Sequence, residues 1–337
     1  MRIEHLSVLV CPRCAGDLAL SADVKADDGR VEKGSLSCSE CASSYPIVKF
    51  IPRFVPLENY AAGFGFQWLL HSRTQFDDAN NASISRDRFF GATRWSHELK
   101  GESILEVGGG SGRFTEHAAT TGAFVASLDY SVAVEANYAS NGHKPNVLIV
   151  QADVYAMPFR QGWFDRCYCF GVLQHTPDVK RAFDALPRML KPGGYLAVDV
   201  YRKPRGLRRL TATKYYVRPL TRRIPPQRLY KFTTAYIRAM WPLARLLRRI
   251  PYFGIRLNWA LLIPDYAKSL PLTDERLRAW AELDLFDMLS PAYDSPQDLE
   301  TMREWFVSAG LRDVDVHVGY NGIEGRGRVP GAATAAA

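Results

Sequence analysis

The chain has 337 residues, 47% of them hydrophobic and 23% charged, with 25 Gly and 20 Pro, a globular composition that excludes collagen-like and low-complexity classes and is long enough for two or three folding units. Its net charge of +8 is an uneven average: Arg202 to Arg256 holds 16 Lys/Arg and no Asp or Glu, which leaves 27 basic and 35 acidic residues elsewhere. That asymmetry points to an anionic partner for one segment, whether phospholipid, nucleic acid or a diphosphate-bearing substrate.

Residues 1–56 read as a small unit. Cys11, Cys14, Cys38 and Cys41 stand in the spacing C-x2-C-x23-C-x2-C, which places two thiolates on each of two turns and suits tetrahedral zinc in a reducing compartment. With four protein ligands no coordination position stays open, so the ion is expected to be structural and to supply folding energy that so thin a core lacks. Residues 57–98 follow as a helical cap on the spacing of FGFQWLLHSRTQF, with Trp68, Gln75 and Asp77 as a lid.

Residues 99–201 alternate strand, turn and helix. The strands are SILEV, FVASLD, VLIVQAD, FDRCYCFGVL and GYLAVDVY, and five strands alternating with helices predict a parallel, doubly wound α/β sheet. A helix is expected over 178–194 with Pro187 kinking it. Cys167 and Cys169, two apart on a strand, share one face and are assigned to packing. Residues 202–264 form a basic amphipathic insertion in which Pro242 is expected to break the helix YIRAMWPLARLLRRI into two pieces. Residues 265–330 end the fold, with a helix capped by Ser295 and Pro296 and stopped by Gly310, then a hairpin turning at Asn321-Gly322. Residues 331–337 are expected to be a disordered tail.

The chemistry sits at EVGGGSG. Glu106, Gly108, Gly110 and Gly112 lie between a strand and a helix, where glycine lets the backbone approach a ligand and the helix start offers free N–H groups. A dinucleotide fingerprint would need glycine at 113, where Arg113 stands, which weakens a nicotinamide reading. Asp129 ends the second strand, positioned for ribose hydroxyls, and Asp153 ends the third, where a carboxylate can face an adenine amino group.

This set resembles the class I S-adenosylmethionine-dependent methyltransferases of the small-molecule branch. An acid followed by G-x-G-x-G is matched by Glu106, Gly108, Gly110 and Gly112, the ribose-binding acid by Asp129 and the adenine-side acid by Asp153. ADVYAMPF, WFDRCYCFGVLQHT and LKPGGYLAV are similar to the later motifs. The resemblance implies a Rossmann-like seven-stranded sheet, with Glu106 holding the methionine end of the cofactor. The cysteine unit resembles the small zinc ribbons that activate tRNA methyltransferases, here fused to the enzyme.

On the acceptor side, His175 follows the fourth strand at the carboxyl edge of the sheet, where ligands bind and a hydroxyl acceptor needs a base. Asp284 and Asp287 share one face if LDLFDML is helical, with Tyr293 and Asp294 after them; Asp287 joins His175 as a candidate catalytic residue. The expected activity is methyl transfer to a hydroxyl of a small-molecule, sugar or lipid-linked acceptor. The basic insertion would rest on an anionic membrane surface, its charge left in water or met by anions. A zinc-ribbon RNA methyltransferase is the alternative, and a non-catalytic cofactor-binding adaptor a second. The short apolar runs span no membrane and no secretory leader is evident, so a cytoplasmic protein, peripheral at the inner face of the membrane, is expected.

Overall fold

A computed structural model describes residues 1–56, 59–206, 209 and 212–331. Its first part is a four-stranded antiparallel sheet, β1 (Leu18–Lys25), β2 (Val31–Cys38), β3 (Ser44–Val48) and β4 (Ile51–Pro52), in that order. Each C-x-x-C turn is followed by an alanine in the left-handed region, Ala15 (φ 61°) and Ala42 (φ 54°), so the two knuckles curl alike and aim their sulfurs inward. All four Sγ atoms lie within 4.8 Å of one another, and Cys11–Cys41 and Cys14–Cys38 are each 3.5 Å apart. A Zn–S bond of about 2.3 Å puts the corners of a tetrahedron about 3.8 Å apart. The cluster fits a zinc ion.

The ribbon is built into the rest of the chain. Arg53 forms a parallel bridge with Gln151, Phe54 N–H donates to Gln151 O at 2.8 Å, and Leu9 pairs with Phe159. Its apolar residues Val8, Leu9, Leu36 and Ile47 belong to the same core cluster as Leu128, Leu148 and Phe159.

Ser103–Val107 and Val147–Gln151 are buried at every position, a pattern that requires cover on both faces of a sheet. These are β5 and β7. With β6 (Phe124–Asp129), β8 (Phe164–Cys169), β9 (Leu190–Val200), β10 (Arg312–Gly319) and β11 (Gly322–Arg328) they form a seven-stranded sheet in the order β10-β11-β9-β8-β5-β6-β7. Strands β5 to β9 pair in parallel; β11 pairs antiparallel with β9 and with β10. Cys167 and Cys169 are both fully buried on β8. The helices are α1 (Ala62–Leu70), α2 (Asp77–Asn80), α3 (Ile84–Thr93), α4 (Arg113–Thr120), α5 (Val134–Asn141), α6 (Val179–Ala185), α7 (Lys214–Thr221), α8 (Pro226–Leu247), α9 (Gly254–Ala260), α10 (Asp274–Leu289) and α11 (Leu299–Ser308).

Several expectations are corrected. The helix expected over 178–194 ends at Ala185; Pro187, lacking an N–H, opens a 3-10 turn, and β9 begins at Leu190. The helix expected from Ser295 begins at Leu299 behind Asp298, because 295–297 are drawn out beside the end of β9: Gln297 N–H donates to Tyr201 O at 2.7 Å and its carbonyl accepts from Lys203 N at 2.9 Å. Pro242 breaks nothing. Helix α8 runs unbroken through it for 22 residues. Leu229, Ile237, Trp241 and Ala244 pack there against Leu277, Ala281, Leu285 and Phe286 of α10, and about 1.5–3 kcal/mol per buried side chain outweighs the roughly 3 kcal/mol an interior proline costs. Of the tail, residues 332–337 lie outside the described residues.

The basic segment is also corrected. Among the described residues, seven of its sixteen cations are matched by acids from residues 265–300: Lys203 and Arg205 meet Asp298, Lys214 and Arg218 meet Asp294, Arg238 meets Glu282, and Arg245 and Arg248 meet Asp274, with Arg248 also on Asp265 at 2.8 Å. No helix among the described residues is long and apolar enough to cross a membrane.

Because ribbon and sheet share a core, loss of the metal should destabilise both. Cys38→Ser, or chelation, is expected to abolish zinc retention and lower the melting temperature of the whole chain, since structural zinc supplies on the order of 10 kcal/mol. Elemental analysis with calorimetry checks this; a core melting unchanged without zinc would contradict the shared core.

Candidate active site

A cavity of about 820 Å³ opens at the carboxyl end of the parallel strands, within the roughly 300–1,000 Å³ of ligand clefts. One wall is the glycine loop. Gly108 (φ 83°) and Gly112 (φ 92°) hold left-handed backbone, and a Cβ on either would collide, at 2.1 Å with Val172 and at 2.2 Å with Asn137, so no other residue fits these turns. Gly108 and Gly110 line the cavity, whereas Gly112 caps α4 behind it.

Asp129 lines the cavity at the end of β6. Its Oδ2 accepts from Gly110 N–H and its Oδ1 from Ser131 N–H, both at 2.8 Å, so the carboxylate fixes the loop and remains half-exposed. Burial pushes its carboxyl up while these donors pull it down. Tyr130 stacks on Tyr60 at 4.7 Å beside it, and Val154 continues the wall. A half-exposed acid, open backbone and flat aromatic faces are the donor set an adenosine needs, and the residues fit S-adenosylmethionine there. Asp153 lies one residue from that wall and accepts from Tyr155 N–H at 3.0 Å. Glu106 sits deeper: it is fully buried, accepts from Thr115 Oγ1, and lies behind the residues that face the cavity.

His175 faces the cavity from a 3-10 turn after β8. Its Nδ1 is 2.9 Å from Tyr293 O. A carbonyl only accepts, so Nδ1 carries the hydrogen and Nε2 keeps its lone pair. Burial holds the imidazole below its ordinary pKa, although Asp287 and Asp294 pull the other way, so it is neutral at physiological pH. Phe64 and Tyr201 rings hold it at 5.0 and 5.4 Å.

Asp284 and Asp287, three apart on α10, both line the cavity. Asp287 accepts from Gln67 Nε2 at 3.3 Å and Tyr201 OH at 3.4 Å. Asp284 accepts from Tyr266 OH, and burial pushes its carboxyl up to about 7 against that hydrogen bond, with Asp287 adding to the rise. Asp294 is engaged elsewhere: burial resists its ionisation, but Lys214 and Arg218 hold its carboxyl below the usual range. Trp68 and Gln75 line the cavity; Asp77 instead caps α3 through Ser85 N–H and Arg86 N–H.

Sequence reading missed Arg88, Lys214, Tyr201, Tyr266 and Trp280, which all face the cavity. No local pattern marks them, since α7, α9 and α10 reach the site only through tertiary packing. Arg113 had a signal: a cation where a glycine would be expected.

Because Asp284 titrates higher in the folded than in the unfolded chain, the stability its protonated form gives is present below about pH 4 and lost as pH rises through about 7. Asp284→Asn should remove that loss, so its stability relative to the parent rises by about 2–4 kcal/mol between pH 4 and pH 8. Urea denaturation at both pH values reads this; parallel pH profiles would refute it.

Residues 105–198 match the family described as a methyltransferase domain, and residues 2–49 match the Trm112p-like proteins. Among curated relatives, a demethylmenaquinone methyltransferase of Renibacterium salmoninarum is 29% identical over 36% of this chain and 51% of its own length. A ubiquinone biosynthesis O-methyltransferase of Thiobacillus denitrificans is 32% identical over 29% of this chain and 44% of its own. The chain thus spans about half the length of the curated relatives it matches. A SAM-dependent methyltransferase structure from Aquifex aeolicus overlaps 77% of this chain and 93% of its own at 13% identity, with a TM-score of 0.39. The chain thus joins a Trm112p-like segment, whose four cysteines fit a zinc ion, to a segment that matches a methyltransferase domain.

Proposed function

We propose that the chain methylates a hydroxyl of a small-molecule, sugar or lipid-linked acceptor. The observation that carries this reading is His175: a neutral imidazole with Nδ1–H fixed on Tyr293 O and Nε2 free to take a proton, in the same cavity as the glycine loop and Asp129. When bound, S-adenosylmethionine supplies an electrophilic methyl group. Asp129 and the glycine loop would hold its ribose end, and Gly108 and Gly110 would let it approach the backbone closely. His175 Nε2 accepts the acceptor's proton as the oxygen attacks, while Asp287, fixed by Gln67 and Tyr201, faces the charge that builds on the imidazole. Helices α7, α9 and α10 cover the cavity, and alignment supplies much of the rate. The relative named for ubiquinone biosynthesis O-methylation supports an oxygen acceptor.

The enzyme would work at a membrane surface. Phe232 on α8 is 63% exposed and Tyr252, in the turn to α9, 86% exposed; Leu246, Phe253 and Leu257 are exposed as well. Among the described residues no acid pairs with Arg222, Arg223, Arg228, Lys231, Arg249 or Arg256, all exposed. Apolar side chains set among free cations suit an anionic interface, at about 1 kcal/mol per cation.

Three outcomes check this reading. Asp129→Ala should weaken S-adenosylhomocysteine binding about 10- to 100-fold by calorimetry, as for a lost charged hydrogen bond; unchanged affinity would count against the cofactor assignment. His175→Ala should retain that binding and lose turnover of labelled methyl into an extract. In the parent, turnover should hold from neutral pH down to below about 6.5 before falling as the base protonates. Vesicles with anionic lipid should pellet the protein and neutral vesicles should not, with Phe232→Ser/Tyr252→Ser/Phe253→Ser reducing the effect. Salt-sensitive RNA binding without vesicle binding would favour a nucleic-acid acceptor.

A further inference from the structure

Arg113 is the one charged side chain of the glycine loop's own helix that faces the cavity, and the mechanism above leaves it unused. It is the first residue of α4 and half-buried. Its guanidinium carbon lies 4.5 Å from the Phe114 ring centroid, and that of Arg88 lies 5.1 Å from the same ring. The two cations differ in what neutralises them. Arg88 Nη2 donates to Asp199 Oδ2 at 2.6 Å, both side chains nearly inaccessible. Arg113 makes no hydrogen bond or ion pair among the described residues. The cavity's own acids are held by other donors: Asp129 by Gly110 and Ser131, Asp284 by Tyr266, Asp287 by Gln67 and Tyr201. Burial, with Arg88 adding to it, lowers Arg113 to about 10, so it stays charged at neutral pH. A desolvated guanidinium is costly unless an anion meets it, and its planar fork matches a carboxylate in two parallel hydrogen bonds.

We propose that Arg113 receives a carboxylate carried into the cavity by a ligand, with the Phe114 ring fixing the plane of its fork. The inference rests on the methyltransferase reading of the cavity. One free cation with Asp284 nearby suits a monoanion; a phosphate dianion would meet more repulsion from that acid. The carboxylate comes from the acceptor or from the amino-acid end of the cofactor. The groups whose charges reach Arg113 are Arg88, Tyr320, Asp284 and Asp199, from α3, the β10–β11 turn, α10 and β9.

Zinc-loaded, full-length parent, Arg113→Gln and Arg113→Lys are titrated calorimetrically with S-adenosylhomocysteine, with 5′-methylthioadenosine, which lacks the amino-acid end, and, in the S-adenosylhomocysteine complex, with benzoate and benzamide. Matching melting temperatures confirm that the variants fold. For an acidic acceptor, Arg113→Gln leaves both nucleosides unchanged and removes a preference for benzoate over benzamide of about tenfold or more, which Arg113→Lys partly restores. For the cofactor's carboxylate, Arg113→Gln weakens S-adenosylhomocysteine about tenfold or more and spares 5′-methylthioadenosine. The proposal is overturned if the parent shows no benzoate preference and Arg113→Gln weakens both nucleosides equally or neither. Failure of the parent to bind S-adenosylhomocysteine at all would instead overturn the cofactor reading on which the proposal rests.

Discussion

The cavity depends on a buried three-way ion pair. Lys214 and Arg218, one turn apart on α7, close on Asp294, whose side chain is almost wholly inaccessible. Arg218 also donates to Met288 O at the end of α10 through Nε at 3.0 Å. Breaking a buried pair by removing one partner leaves an uncompensated charge and costs about 3–5 kcal/mol. Here the same contact fixes the helices whose inner faces carry Tyr215, Asp284 and Asp287 into the site. Tyr293, next to Asp294 in the chain, is held with it, and its carbonyl selects the tautomer of His175. The latch that closes the cover thereby orients the His175 ring.

The same complementarity extends along the rest of the cover. Arg248 binds Asp265 and Asp274 on either side, Trp241 Nε1 donates to Asp274 at 2.9 Å, and Asn258 Nδ2 donates to Asp265 at 2.6 Å. The helices therefore meet through an apolar seam, Leu229–Trp241 against Leu277–Leu289, with charges closing its rim. Among the described residues the cations left over are exposed, and no acid pairs with them.

At the opposite edge of the sheet, a second contact carries the ribbon's influence inward. Arg53, 4% exposed, donates to Gln151 Oε1 at 2.7 Å and pairs with Glu135 at the same distance. Gln151 Nε2 in turn donates to Tyr130 O at 3.1 Å, and Tyr130 lines the cavity beside Asp129. The ribbon occupies the exposed edge of β7, a position that otherwise invites pairing with another chain. The ribbon and the Tyr130–Asp129 wall of the cavity are thus joined by one chain of contacts.

What the sequence determined by itself is local. The apolar run Ser103–Val107, the glycines at 108 and 112, the acid closing β6 at Asp129 and the two C-x-x-C knuckles each carry their structure in a few adjacent residues, because burial on both faces, positive φ and metal-ligand spacing are short-range demands. A hairpin at this place was legible for the same reason, although its turn falls one residue earlier than expected, on Tyr320 and Asn321, with Gly322 already paired to Gly319. Only the tertiary structure decided the rest. Pro242 stays helical because α10 packs on its neighbours Trp241 and Ala244 from more than 30 residues away. Residues 295–297 are stretched because Tyr201 and Lys203 bond Gln297. The acid-free stretch from Arg202 looked unbalanced because its counter-charges, Asp265 to Asp298, follow it in the chain and meet it only after folding. Which face His175 shows, and which acids stay free to face a ligand, were settled by the same long-range pairings: charge is neutralised in space, and a one-dimensional window cannot see the partner.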